Sequence, residues 1–448
     1  MTQDMARHFS WGALARFTAP SIAMMIFTSI YGIVDGLFVS NFAGKTAFAA
    51  VNFVMPIIMI PSAVGFMIGT GGSAIVAKTR GEGDDASANR YFTMLVYAGA
   101  ALGVVLAAAG IFAAEPICAL LGAQGQMLAD CGLYGRMIFV TLPFFVLQYV
   151  FQSFFVTAGK PQIGFFVVLI AGCMNIVLDA LLVGVFGMGL VGAALATNVS
   201  EVLGGGIPVI YFLRKNTSLL KFVRAPFEGR ILGRACFNGM SEMVTNIAMS
   251  VVGVLYNLQL MRYIGEDGVA AYGVIMYVAM VFAAIFLGYS MGSSPLMSFQ
   301  YGAQNRPEMQ NLFRKSMVFV FVGGVVMLGL SEVSAPLVAD VFVSYDAALH
   351  ELTVESFRIY AVAYLFMGFS IYGSALFTSL GNGVVSAVIA LLRSLLFEAG
   401  SVLLMPLIFG IQGIWLSISV AEVASLVVTL IFIFALGRRY GFLRTPDH

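Results

Sequence analysis

Charge is what this chain has least of. Only 10% of its 448 residues are Asp, Glu, Lys or Arg, against 60% hydrophobic residues, whereas a soluble globular domain carries about 25% charged residues. That balance excludes an ordinary water-soluble fold. Histidine is nearly absent as well. The three present, His8, His350 and His448, all lie outside the long apolar runs, so no imidazole is placed there as a buried general base. The four cysteines, Cys118, Cys131, Cys173 and Cys236, lack paired metal-ligand spacing and read as free thiols. Cys118 and Cys131 flank one outer loop, which leaves a bridge between them as the alternative. The net charge of +1 gives no sign of nucleic acid or of an acidic partner, because it averages loops on two sides of a membrane.

What is present in abundance is apolar sequence. A bilayer core of ~30 Å takes about 20 helical residues per crossing. Runs of that length cover residues 11–38, 47–77, 91–113, 131–157, 162–184, 190–213, 232–262, 268–300, 313–332, 353–379, 384–408 and 411–436. They predict an all-α polytopic membrane protein with twelve transmembrane helices, and 11–38 reads as an uncleaved first span because Asp35 lies within it. Two apparent enzyme motifs dissolve in this setting. Gly288-Tyr-Ser-Met-Gly292 lies inside a span rather than at a strand-to-helix turn, and Gly187-Met-Gly-Leu-Val-Gly192 joins two spans rather than opening a βαβ unit. An enzyme is therefore not expected.

A shift of about 221 positions lays the second half of the chain on the first, the mark of an internal repeat. Gly71, Ser73, Gly81 and Phe92 fall on Gly292, Ser294, Gly302 and Phe313, and Gly189, Gly192 and Glu201 fall on Gly410, Gly413 and Glu422. The cations set the orientation. Eighteen of them, from Arg7 and Arg16 through the linker residues Arg214, Lys215, Lys221, Arg224, Arg230 and Arg234 to Arg438, Arg439 and Arg444, lie on one side. Four, Lys45, Arg136, Arg262 and Arg358, lie on the other, and Arg393 is left inside a span. The positive-inside rule places both termini in the cytoplasm. Six spans per repeat is an even number, so two six-helix lobes related by a pseudo-two-fold axis along the membrane normal are expected. Residues 1–213 would form the N-lobe, 214–231 a basic cytoplasmic linker at the lipid surface, and 232–448 the C-lobe.

A carboxylate at mid-bilayer costs at least ~2.5 kcal/mol on insertion scales, which makes each one a functional candidate. Six lie within spans: Asp35, Asp179, Glu201, Glu242, Glu398 and Glu422. Counting about 1.5 Å per residue, Asp35 and Asp179 reach the outer half of the N-terminal bundle, with Asn175 one turn from Asp179 on the same face. Tyr134 and Thr197 arrive at the same depth from spans that run inward. Two carboxylates in one bundle repel when both are ionised, so this group suits a proton or a bound cation. A polar network that only ties helices together is the competing reading. Asp35 has no copy, since position 256 is Tyr. Glu201 and Glu422 are related by the repeat, which suggests a structural role, with a substrate or secondary ion site as the alternative. Glu242 and Glu398 are either neutralised by Arg393 or available to a cationic substrate.

Ile33-Val-Asp-Gly-Leu-Phe-Val39, Met67-Ile-Gly-Thr-Gly-Gly-Ser73 and Thr157-Ala-Gly-Lys-Pro161, set in twelve spans of two halves, resemble the multidrug and toxic compound extrusion (MATE) family, and within it the MepA-like bacterial group. The resemblance implies two lobes forming a V around a central cleft, and export of organic cations in exchange for H+ or Na+. It also implies a cation-coupling network on Asp35, Tyr134, Asn175, Asp179 and Thr197, the set reached by depth, with Na+ possible at Asp35 and Asp179. Glu242 matches a span 7 Glu used by some relatives, but the partner Asp in span 10 is missing here. The expectation is a monomeric antiporter in the bacterial plasma (inner) membrane. It would need no cofactor beyond its coupling ion and would act on small amphipathic cations. The alternative is a flippase for a lipid-linked or oligosaccharide substrate, which would call for several cations in the cleft where the sequence offers only Arg393.

Overall fold

The computed structural model describes residues 5–43, 45–120 and 122–443; Arg444 and His448, counted above, lie outside them. Within these residues the chain is helical without β-strands. Its elements are α1 (Trp11–Phe38), α2 (Lys45–Gly81), α3 (Asp85–Leu120), α4 (Gly125–Thr157), α5 (Pro161–Leu178), α6 (Gly189–Leu213), α7 (Gly229–Asn238), α8 (Met240–Tyr263), α9 (Glu266–Gly302), α10 (Arg306–Val343), α11 (Ala347–Ala361), α12 (Tyr364–Ser379), α13 (Gly383–Leu391), α14 (Glu398–Phe409) and α15 (Ile411–Tyr440). Eleven helical segments are long and apolar enough to cross a membrane, and α11 with α12, bent by 47°, makes a twelfth. The helix starts follow local chemistry. Ser10 accepts the Ala13 N–H, Asp346 accepts those of Ala348 and Leu349, and Pro161 occupies the first turn of α5, where its missing N–H costs nothing.

One expected span is divided. The run at 232–262 breaks at Gly239 into α7 and the spanning helix α8. A Cβ at Gly239 would collide with the backbone oxygen of Met67, so α2 reaches the break only because the side chain is absent. α7 buries Ile231 and Ala235 while Arg230 and Arg234 stay exposed. That four-residue spacing suits a helix lying along a surface. Cys118 and Cys131 are both buried free thiols.

There are two apolar cores, one mainly from α2–α6 and one mainly from α8–α15. Each receives an arm from the other half. Met5, Phe9, Leu14 and Phe17 pack into the second core, and Ile231 and Ala235 of α7 pack into the first. Under the repeat these arms correspond, residues 8–17 falling on 229–238. The first arm is also held by polar groups. Phe9 N–H donates to Glu308 Oε1 at 3.0 Å and His8 Nδ1 lies 2.6 Å from Oε2. Asn311 and Lys315 both donate to the Phe9 carbonyl, and Gln300 donates to that of Met5 at 2.8 Å.

The halves meet along a seam of small residues. Antiparallel helices α1 and α9 approach where a Cβ on Gly288 would stand 2.5 Å from the Ile22 Cα and one on Gly292 3.1 Å from the Thr18 Cα. Nearer the termini, α2 and α9 close in turn, a Cβ on Gly81 colliding with the Phe299 carbonyl and one on Gly302 with that of Lys78. Farther along the same two helices, Gly32 and Gly36 of α1 and Gly273 of α9 have nothing within 4 Å of a Cβ position. The closest approaches between the halves thus cluster toward the end that carries the termini.

Candidate functional site

Asp35 sits near the last turns of α1 and Asp179 directly after α5, each beside a stretch of wider π-helical winding, Val39–Ala43 and Asp179–Val185. Such bulges cost helix hydrogen-bond geometry and recur at functional positions. Close packing of α1 on α5 brings the two acids together. Gly172 makes that approach possible, because a Cβ there would stand 2.6 Å from the Phe27 ring and 2.8 Å from that of Tyr31. Asp35 consequently faces both Asp179 and Asn175. Asp179 is fully buried and Asn175 is 2% exposed.

The hydrogen-bonding state of this pair is its most telling property. Both oxygens of Asp179, and Oδ1 of Asp35, are buried without a hydrogen-bond partner among the described residues. An ionised carboxylate only accepts, so two such groups face to face can be joined only by something placed between them, a proton or a metal cation. Buried acceptors left unpaired are costly. The surrounding donor set is oxygen-rich and neutral. The buried Tyr134 hydroxyl lies beside Thr197 and within electrostatic reach of Asp35, Asp179 and Glu201. Oxygen ligands suit a proton relay or a hard cation better than a thiophilic metal. Among the described residues, no three His, Cys, Asp or Glu side chains converge as a metal site.

Four members of this neighbourhood were not singled out in the sequence. Tyr31 lies one turn before Asp35 and engages Gln148, which is 3% exposed. Thr141 stands 2.6 Å from Glu201 Oε2, 2.9 Å from Asn198 Oδ1 and 3.2 Å from the Ile138 carbonyl, so three acceptors compete for one hydroxyl proton. Asn198 in turn donates to the Met137 carbonyl at 3.0 Å. The i−4 spacing of Tyr31 from Asp35 and the seven-residue spacing of Thr141 from Tyr134 were the available signals, since both place the residues on shared helix faces.

In the second half the charges sort differently from expectation. Arg393 makes a bidentate pair with Glu422, its Nε at 2.9 Å and Nη2 at 2.7 Å from Oε1. Glu422 is thus the hydrogen-bonded partner of the intramembrane arginine, with Glu398 in electrostatic reach of it. Glu398 lies within reach of that pair and of Tyr256, Tyr272 and Tyr360. The Tyr256 and Tyr272 rings stack at 4.8 Å, and the Tyr256 hydroxyl is buried near the Ile418 backbone. Glu242 stands apart from this group, in the first turn of α8. The two motif decoys have plain places as well. Gly288–Gly292 is continuous helix within α9, and Gly187 and Gly189, with φ of 63° and 55°, make the turn between α5 and α6.

Comparison with known proteins gives a consistent answer. The sequence pattern of the MatE family matches residues 20–181 and 243–401, more than half of the chain. The chain is similar to the multidrug export protein MepA of Staphylococcus saprophyticus subsp. saprophyticus, at 26% identity over 429 residues covering 95% of this chain and 94% of the relative. The MepA proteins of Staphylococcus aureus include one at 23% identity with the same coverage. The fold matches that of an outward-facing multidrug resistance MATE family transporter of the MOP superfamily, with a TM-score of 0.89, 22% identity, and 95% and 96% of the two chains covered. It equally matches a MATE crystallised in a straight conformation, with a TM-score of 0.89, 21% identity and the same coverage.

Proposed function

We propose, since this chain belongs to the MatE family of multidrug export transporters, that it works as an antiporter driven by H+ or Na+ through the Asp35 and Asp179 pair. The single observation that supports this reading is the buried Asp179 carboxylate, with no donor for either oxygen among the described residues, facing a second carboxylate. A purely structural tie between helices would be made at lower desolvation cost by an amide or a hydroxyl.

The exported molecules are amphipathic organic cations. Six intramembrane carboxylates face one arginine, and that arginine is already held by Glu422. The same pairing counts against the flippase alternative, which would need free cations in the cleft to hold a pyrophosphate. The working unit of this proposal is one chain in the bilayer, a monomer whose two lobes enclose the cleft between them. With both termini in the cytoplasm of a bacterial inner membrane, the cleft opens outward. Drug leaves as the coupling ion occupies the acid pair, and the ion departs inward once the halves rock.

The test is gradient-driven efflux in proteoliposomes with Asp35→Asn and Asp179→Asn at matched protein content, alongside equilibrium binding of the drug. Loss of coupled efflux with retained drug binding is expected in each. Near wild-type coupled efflux in both would overturn the proposal.

A further inference from the structure

At the terminus-bearing end of the first half, a cavity opens between the α4–α5 turn, the end of α6 and the loop that follows. Its upper wall carries Lys160, Arg214 and Lys215, and no Asp or Glu lines it. Lys160 is only 8% exposed, and its ammonium donates to the Thr217 hydroxyl at 3.1 Å with no carboxylate paired to it among the described residues. A nearly buried cation without a counter-ion is unfavourable unless an anion completes it. Arg393 has Glu422, and buried Lys315 lies beside Glu308. Lys160 has no equivalent.

The loop over this cavity is built rather than slack. Asn216 Oδ1 accepts from the Ser218 N–H and hydroxyl at 3.0 and 2.5 Å, and its amide donates to the Arg214 carbonyl at 3.0 Å. Leu219 N–H donates to the Ala158 carbonyl at 3.1 Å, which fastens the loop to the turn that bears Lys160. Below the cations the lining changes character to Ile163, Ile207 and Ile210. Ile210 is 52% exposed on a helix that crosses the membrane, so this wall faces lipid hydrocarbon. A cationic rim above an apolar groove complements one kind of molecule, with an anionic head and a hydrocarbon tail.

We propose that this cavity binds the headgroup of an anionic phospholipid, its phosphate on Lys160 with Arg214 and Lys215, and an acyl chain along Ile163, Ile207 and Ile210. Bound there, the lipid bridges the ends of α5 and α6, the helices that carry Asn175, Thr197 and Glu201. The inference does not depend on the coupling reading above, and its test does not use transport.

The experiment uses the purified, delipidated full chain in neutral detergent. Dioleoylphosphatidylglycerol, dioleoylphosphatidylcholine and inorganic phosphate are titrated in parallel, with bound lipid counted by native mass spectrometry and melting temperature followed. One tightly retained phosphatidylglycerol that raises the melting temperature is expected, with little response to the other two. Lys160→Met should weaken retention, as should Arg214→Gln with Lys215→Gln at exposed positions that do not test folding, by about fivefold per cation removed. An equal response to phosphatidylcholine would reduce the effect to bulk lipid, and one reproduced by inorganic phosphate to a free-anion site. Either result, or undiminished phosphatidylglycerol retention in the Arg214 and Lys215 double variant, overturns the proposal.

Discussion

Removing Arg393 alone should harm the protein far more than removing Arg393 and Glu422 together. Glu422 is 1% exposed at its side chain and Arg393 16%, and two strong charge-assisted bonds at 2.9 and 2.7 Å join them. Arg393→Met leaves a carboxylate with almost no water and no donor, a loss of about 3–5 kcal/mol. Glu422→Gln leaves the guanidinium in the same position and should cost a similar amount, softened because Glu398 lies within reach of it. The double variant holds neither charge and should lie within about 1–2 kcal/mol of the native protein, since paired burial gives little net stability. The coupling between the sites, the amount by which the single effects fail to add, is then about 4–9 kcal/mol, toward the lower end where Glu398 softens the second loss. The assay is reversible unfolding in mixed micelles of all four proteins, read by tryptophan fluorescence. Single losses that add in the double variant would refute the reasoning, because they would mean that the pair is not the partner each charge relies on.

Three further outcomes follow from the seam, the arm and the charge bias. Gly288→Leu puts side-chain atoms where Ile22 already stands and, at about 1–3 kcal/mol of overpacking, should force the halves apart. A cysteine replacing buried Ser21, in a background lacking exposed Cys173 and half-buried Cys236, should then react with aqueous maleimide, and unchanged protection would count against the seam. Glu308→Ala removes the acceptor of the Phe9 N–H at about 1–3 kcal/mol, while Glu308→Gln keeps an acceptor and should cost less. Tryptic cleavage after Arg7 should accelerate in the first variant well beyond the second, and equal rates would show that the arm is not held there. Cysteines placed in residues 216–228 should be labelled only in permeabilised cells, and labelling from outside intact cells would reverse the proposed orientation.

The span count and the repeat could be read before any coordinates because both are carried by one-dimensional patterns: apolar length, and identity at a constant shift. Adjacency of Asp35 and Asp179 was approachable because depth in a membrane is a linear function of position along a helix. What escaped depended on contact between distant elements. Hydropathy is low at the start of 232–262, where Arg234, Asn238 and Glu242 lie, yet the position of the break at Gly239 is set by the close approach of α2. Arg393 has Glu398 only five positions away in sequence, yet its partner comes from α15, 29 positions on. Helix packing decided that pairing, and sequence separation gave no guide to it.

The exchanged arms bear on how the chain is made. Phe9 leaves the ribosome long before Glu308, the residue that receives its N–H, 299 positions later. At about 5–20 residues per second, that wait is roughly 15–60 s. Throughout it the apolar side chains of Met5, Phe9, Leu14 and Phe17 have no core to enter. The first half likewise stays incomplete until α7 supplies Ile231 and Ala235. Neither half can therefore be finished as a separate unit during synthesis. The early arm must be sheltered by lipid or by a chaperone until α9 and α10 emerge, and docking of the arm becomes one of the last steps of assembly, a closing stitch drawn from the oldest part of the nascent chain.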